Sequence, residues 1–119
     1  MSLMLRRSAV CVIASIGLSF SNLHVAFGEV VYEHAGDLNR LCTSEDVATK
    51  AVCEGFIGGV FEIVANESVY GFTACIPPLT PMSKAVDVTK NWLIVHPELL
   101  TRSASSAIAQ ALAEAFPCH

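Results

Sequence analysis

The stretch that most constrains the fold is residues 53–60, Cys-Glu-Gly-Phe-Ile-Gly-Gly-Val. Apolar residues here follow the i, i+3, i+4, i+7 spacing of one helical face, and they are Cys53, Phe56, Ile57, Val60 and Val64. Gly55 and Gly59 lie one turn apart, and each glycine costs a helix interior about 1 kcal/mol relative to alanine. Gly58 makes three glycines in five positions, so we predict a buried central helix that a neighbouring helix approaches closely at these glycines, the Gly55/Gly59 pair included.

The first 28 residues have the pattern of a secretory signal peptide. Arg6 and Arg7 form a short basic region, and an apolar run follows over residues 9–20. Residues 26–28, Ala-Phe-Gly, place small side chains at −3 and −1 of a cleavage site before Glu29. The apolar run is shorter than the roughly 20 residues that a transmembrane helix needs. We expect residues 29–119 to form one small periplasmic domain that has no membrane contact after cleavage.

The charge of this domain limits its partners. All eleven acidic residues lie in residues 29–119 with only five basic ones, so the net charge is 5 − 11 = −6. A balance this acidic disfavours nucleic acid and anionic membranes as partners. It is compatible with a basic protein partner, and solubility alone would also account for it.

Four cysteines remain after cleavage: Cys42, Cys53, Cys75 and Cys118. An even number in a short exported chain is typical of two disulfides. The spacings of 11, 22 and 43 residues contain no close Cys-x-x-Cys pair, which disfavours a metal site. Catalytic cysteine chemistry is equally disfavoured in an oxidising compartment. We expect no metal and no cofactor.

The remaining pattern predicts helices joined by short loops. We expect an extended arm over residues 29–36, a short helix over 37–42 capped by Asp37, and a turn over 43–46 that resembles a capping box led by Thr43. A second helix follows over 46–66 and a loop over 69–78. A third helix runs over 81–95, capped by Thr80, and a fourth runs from Pro97 or Glu98 to Phe116. The predicted inner stripe of the third helix is Met82, Ala85, Val86, Thr89, Trp92 and Leu93. The fold class is all-α, a small disulfide-stapled bundle of three main helices plus one short N-terminal helix.

Antiparallel packing of consecutive helices chooses among the three possible disulfide pairings. Cys42 and Cys53 then lie at one end of the bundle, and Cys75 and Cys118 emerge at the other. A crossed pairing would have to span roughly 20 Å of helix, whereas a disulfide bridges about 5.5 Å between Cα atoms. We predict Cys42–Cys53 and Cys75–Cys118, and the first bond requires residues 43–48 to be partly non-helical.

No Ser/His/Asp order or paired-carboxylate spacing indicates catalysis, so we predict no catalytic residues. Tyr70 and Phe72 lie in a glycine-containing loop, where exposed aromatic side chains favour a protein contact and core packing is the alternative. We take Glu67, Tyr70 and Phe72 as the first protein-binding set. His96 and Glu98 form the second set, although His96 also suits the end of a helix, where it meets the helix dipole.

Several short motifs together resemble a known family. They are Leu-Cys at 41–42, Cys-x-Gly-Phe-Ile-x-Gly-Val at 53–60, Cys-Ile-Pro-Pro at 75–78, Asn-Trp-Leu-x-x-His-Pro-Glu at 91–98 and Ala-Leu-x-x-Ala-Phe-Pro-Cys at 111–118. This set resembles the Rap/Tai immunity proteins of type VI secretion systems over almost the whole domain. Phe56 departs from the family, which more often has Tyr there.

The resemblance implies a small periplasmic helical protein, often a homodimer, that binds and inhibits a peptidoglycan amidase effector. It implies no catalytic residues. Two other functions remain open at this stage. One is a periplasmic acid-stress chaperone of the Hde type, although such proteins usually carry a single disulfide. The other is an adaptor module of an envelope complex.

Overall fold

The computed structural model describes residues 34–119, and the all-α prediction is confirmed there. The helices are α1 (Ala35–Cys42), α2 (Val47–Val64), α3 (Met82–Val95) and α4 (Ala104–Ala115), with a 3₁₀ helix at Pro97–Leu99 between the last two. The predicted signal peptide and most of the predicted extended arm lie outside the described residues. None of the described helices is both long enough and apolar enough to cross a membrane.

One core holds the four α-helices together. Helices α2, α3 and α4 pack against one another, and α1 covers α2 and α4. Each helix contributes large side chains that are fully buried, and these include Leu38, Ile57, Leu93, Ile108 and Leu112. Burying one such side chain stabilises the fold by about 1.5–3 kcal/mol. The alanines of α4 at positions 104, 107 and 111 are also buried, so neighbouring helices can approach α4 closely.

Helix α1 begins two residues earlier than predicted because its first N–H groups find partners in the segment before α4. The Ala35 N–H donates to the carbonyl oxygen of Arg102 at 2.8 Å, and the Gly36 N–H donates to that of Leu100 at 2.9 Å. The extended-arm prediction is therefore wrong at these two residues. Asp37 does not cap the helix, since its carboxylate accepts a hydrogen bond from the Arg40 guanidinium. That bond lowers the pKa of Asp37 below its usual value.

Helix α2 is capped by Asp46, whose carboxylate accepts from both the N–H and the hydroxyl of Thr49 at 2.7 Å. Hydrogen bonds from Thr49, first from its side chain and then from its backbone, hold the pKa of Asp46 below 3.8. A depressed pKa means that this stabilisation is present above pH 3.8 and is lost as the pH falls through the folded-state pKa. The prediction that Thr43 leads a capping box is wrong, since its hydroxyl donates to the carbonyl oxygen of Asn39 at the end of α1.

The predicted starts of the last two helices also need correction. Thr80 is not a cap, because its hydroxyl donates to the Pro77 carbonyl oxygen at 2.7 Å and α3 begins at Met82. Helix α4 begins at Ala104 and not at Pro97 or Glu98. Ser103 caps it, accepting from the Ser106 N–H at 3.3 Å. The carbonyl groups of Leu100 and Arg102 point instead to α1, which keeps residues 100–103 out of the helix.

Both disulfides have the predicted partners. Cys42–Cys53 joins Cα atoms 5.2 Å apart, and Cys75–Cys118 joins Cα atoms 4.9 Å apart. Residues 43–46 are non-helical, as the first bond requires. Cys42 and Cys53 are 2% and 1% exposed, whereas Cys75 and Cys118 lie at the surface.

Of the three glycines Gly55, Gly58 and Gly59, Gly58 is the one that a neighbouring helix approaches, so the packing prediction is wrong for Gly55 and Gly59. A Cβ atom at Gly58 would lie 2.6 Å from the Sδ atom of Met82, whereas a Cβ at either of the other two would meet nothing within 4 Å. The helical phase explains the error, because Gly55 and Gly59 lie on the outward side of α2, opposite the buried Ile57. Met82 was predicted to be an inner residue of α3 but is 47% exposed, while the other five members of that stripe are buried.

Candidate protein-contact surface

The chain between α2 and α3, residues 65–81, contains a tight hairpin turn at Val69–Phe72. The two end residues donate backbone hydrogen bonds to each other, both at 2.9 Å. The central residues Tyr70 and Gly71 have φ angles of +52° and +82°, as a type I′ turn requires. Glycine adopts this conformation readily, whereas a non-glycine residue there is uncommon. Tyr70 is therefore held in a backbone conformation that its side chain does not favour.

Tyr70 is 64% exposed, in agreement with the prediction of an accessible aromatic side chain. Its hydroxyl shares a hydrogen bond of 3.1 Å with Ser105 Oγ, in the first turn of α4. The ring is thus fixed at its backbone by the turn and at its tip by α4. A rigid, exposed aromatic ring can contact a partner with little loss of conformational entropy.

Phe72 and Glu67 have different surroundings from Tyr70. Phe72 is half-buried against the core, and the Arg102 guanidinium carbon lies 5.9 Å from the centre of its ring, within cation–π range. The Phe72 ring therefore packs against the core, which was the alternative to an exposed protein contact. Glu67 is exposed and lines a groove of about 560 Å³ between residues 64–68 and 73–78.

His96 ends α3, as its position before Pro97 predicts. Its Nδ1 donates to the Trp92 carbonyl oxygen at 2.8 Å, and its ring stacks on the Trp92 ring at a centroid distance of 4.2 Å. Trp92 is buried, as predicted for a core residue. Glu98 is exposed on the 3₁₀ helix that follows.

A line of polar side chains runs along α4. The Arg102 guanidinium donates to Gln110 Oε1 at 2.6 Å and to Ser106 Oγ at 2.9 Å. Gln110 Nε2 donates to Glu114 Oε1 at 2.9 Å, and Trp92 Nε1 donates to Glu114 Oε2 at 2.8 Å. These α4 residues recur every four positions, the spacing at which helical side chains meet.

This line of side chains connects the two predicted contact sets. Arg102 lies over Phe72 at one end, and Trp92 stacks on His96 at the other. Sequence reasoning missed the connection although its signal, a polar residue at every fourth position from 102 to 114, is visible in the chain. The sequence prediction for this helix used only its apolar face, so these polar residues were not included.

The line of polar side chains orders the surface between the two predicted contact sets. The polar groups of the line are hydrogen-bonded to one another, so they hold side chains in place. In residues 34–119 no group of three His, Cys, Asp or Glu side chains is placed to hold a metal ion.

The model of one protein family, the Rap1a immunity proteins, matches residues 34–118. The chain belongs to the Rap1a immunity protein family. Comparisons with curated proteins and with solved structures gave no match. Membership of this family makes the chain an immunity protein against a secreted effector. Such a protein binds and inhibits its effector and is not an enzyme. The matched residues include all four helices and both disulfides of the Rap1a chain.

Proposed function

We propose that the chain acts in the periplasm as a stoichiometric inhibitor of a peptidoglycan amidase effector delivered by type VI secretion. The observation that carries the proposal is the Rap1a family match, which makes the chain an immunity protein. The signal-peptide pattern of residues 1–28 and the two disulfides support an oxidising compartment outside the cytoplasm. The resemblance of the sequence motifs to Rap/Tai proteins supports an amidase as the target.

The proposed contact surface is the α2–α3 connection together with the start of α4. Tyr70 is its central residue, because it is exposed, rigid and aromatic, and tyrosine is enriched among residues that dominate binding energy. Phe72 and Arg102 support the turn from beneath. Glu67 adds a carboxylate at the edge of the groove. Inhibition then follows from occlusion of the amidase cleft, since the immunity protein needs no reactive group of its own.

His96 and Glu98 form a second contact region at the other end of the polar line along α4. Stacking on Trp92 fixes the His96 ring, so it presents a defined edge. Glu98 and Glu67 are both exposed carboxylates on a domain of net charge 5 − 11 = −6. Electrostatic attraction would therefore favour an effector with a basic surface around its cleft.

A homodimer is part of the proposal. Val52, Gly55, Gly59 and Ile63 are exposed along the outward side of α2, where a second copy could pack closely. Light scattering on the purified domain tests it: a mass of two chains at micromolar concentration supports the dimer, and a mass of one chain contradicts it.

The experiment that tests the function first searches the genes beside this one for a peptidoglycan amidase, the neighbouring-gene amidase. Purified, oxidised residues 29–119 are then titrated into that enzyme, with cleavage of peptidoglycan as the readout. We expect cleavage to stop at one chain per amidase. An amidase that stays fully active with excess chain would contradict the proposal. Tyr70→Ala should weaken binding by about 2 kcal/mol, roughly 30-fold. Tyr70→Phe, which keeps the ring, is the matched control and should lose far less.

A further inference from the structure

A second tight turn lies in the α2–α3 connection, at residues 77–80, Pro-Pro-Leu-Thr. The Thr80 N–H donates to the Pro77 carbonyl oxygen at 3.2 Å, and the Thr80 hydroxyl donates to the same oxygen at 2.7 Å. Pro78 occupies the second position of the turn, and Leu79 occupies the third with a φ of +64°. A proline followed by a residue of positive φ is the pattern of a type II turn, whose third position favours glycine or asparagine.

Leu79 is therefore an unusual residue for this position. It is 100% exposed, so no contact with the described residues 34–119 accounts for a large apolar side chain there. The two prolines and the two hydrogen bonds to the Pro77 carbonyl restrict the turn, which keeps the side chain directed to solvent. An exposed leucine alone is ordinary, but one held in the left-handed region costs the fold stability without returning a contact.

The sequence around Leu79 has no charge. Residues 68–83 contain no Asp, Glu, Lys or Arg, although most of them are exposed. Tyr70, the other non-glycine residue of positive φ in residues 34–119, lies in the same uncharged stretch. A surface that is exposed, rigid and uncharged suits contact with an apolar patch on another protein, since no charged group must lose its hydration there.

We infer that Leu79 is a specificity-determining contact that inserts into an apolar pocket on the effector. The inference rests on the proposed function, and it adds a second turn of the α2–α3 connection to the contact made by Tyr70. The positive φ of Leu79 is then a consequence of selection for binding, in keeping with the observation that strained residues cluster at functional sites.

The test compares Leu79→Gly, Leu79→Asn and Leu79→Met for binding to the neighbouring-gene amidase by calorimetry and for thermal stability. Glycine and asparagine both tolerate the left-handed backbone, so these two variants should fold at least as stably as the unaltered chain. We expect each to bind about tenfold more weakly or worse, while Leu79→Met, which keeps an apolar side chain, stays within about threefold. Val47→Ala is the matched control, since Val47 is 81% exposed on the first turn of α2 and lies outside the connection.

The outcomes separate this inference from the proposed function. Unaltered chain that binds the amidase while Leu79→Gly and Leu79→Asn bind equally well overturns the inference alone. A loss of thermal stability in Leu79→Gly also overturns it, because the leucine would then serve the fold. Unaltered chain that fails to bind overturns the proposed function and this inference with it. An equal loss of affinity in Val47→Ala overturns the assignment of the effect to the turn.

Discussion

The two disulfides lie in regions built in opposite ways. In the first region Cys42 and Cys53 are both buried, and polar groups of the turn between them are paired: Asp46 caps α2, and Thr43 closes the end of α1. Around Cys75–Cys118 the cysteines are exposed, and the adjoining α2–α3 connection contains Tyr70 and Leu79 with positive φ. The first region follows the local rules of helix structure. The second region departs from the usual backbone preferences at two residues, Tyr70 and Leu79, and both have large, exposed side chains.

The difference indicates how such a small binder divides its sequence between stability and recognition. The first bond holds α1 against α2 and completes the core. The second ties the connection to the C-terminal tail, where the Cys75 N–H also donates to the Phe116 carbonyl oxygen at 2.8 Å. We infer that the second region exchanges some intrinsic stability for a rigid, exposed surface.

The largest expected effect comes from removing each disulfide with paired serines. In the chain-entropy model the 11-residue and 43-residue separations are worth about 3 and 4 kcal/mol. Cys42→Ser with Cys53→Ser also buries two hydroxyls in an apolar site, at about 1–3 kcal/mol each without a partner. The serines at 75 and 118 remain in water. Urea unfolding should therefore show a total loss of about 5 kcal/mol or more for the first pair and about 4 kcal/mol for the second.

Reduction of the intact protein is a control for this comparison. A buried bond is reached only after local unfolding, so a low concentration of dithiothreitol should reduce Cys75–Cys118 first. Mass spectrometry after alkylation gives the order. Simultaneous reduction of both bonds would mean that the two regions do not differ in accessibility.

Alanine at the three glycines of α2 should give smaller effects of different sign. In the single chain, Gly55→Ala and Gly59→Ala add a Cβ in open space, so at concentrations where the protein is a monomer each should stabilise the fold by about 0.5–1 kcal/mol. Gly58→Ala should gain less or destabilise, because Met82 must move away from the new Cβ. Denaturation midpoints measure all three. An equal gain at Gly58 would contradict the close packing of α2 against the start of α3.

Substitution of Thr89 tests whether an unpaired hydroxyl destabilises the core. Its effect on the free energy of unfolding should be similar to that of the glycine substitutions or smaller. Its Oγ1 is fully buried and has no hydrogen-bond partner among the described residues. Thr89→Val replaces the hydroxyl with a methyl group of similar shape and should stabilise the protein by about 1 kcal/mol. Thr101→Val, at an exposed position, is the control and should change little. A loss of stability in Thr89→Val would show that the hydroxyl is paired in solution.

Much of the fold could be read from the sequence because it depends on patterns that span whole helices. Apolar spacing located α2 and α3, and the even number of cysteines with the helix order gave both disulfide pairs. The helix starts were less accurate, because several residues can cap and only the tertiary structure chooses. Asp37, Thr43 and Thr80 each have the right chemistry for a cap, yet each bonds elsewhere.

The candidate surface was only partly predictable. An aromatic residue beside a glycine pointed to Tyr70, but nothing in the local sequence predicts that Leu79 adopts a positive φ, since leucine avoids it. Packing also decided between Gly55, Gly58 and Gly59, because a shift of one residue turns a helical side chain by 100°. Such features depend on which face meets a neighbour, and a spacing rule leaves that open.

Hydrogen exchange on the chain, free and bound to the neighbouring-gene amidase, tests most directly whether the α2–α3 connection is the contact surface. Comparing exchange rates between the free and the bound chain measures the protection of every region in one experiment. We expect slower exchange over residues 66–80 and 102–106 in the complex, with little change over residues 35–53 around the buried disulfide. Protection confined to the outward side of α2 or to α1, with residues 66–80 unchanged, would contradict the account.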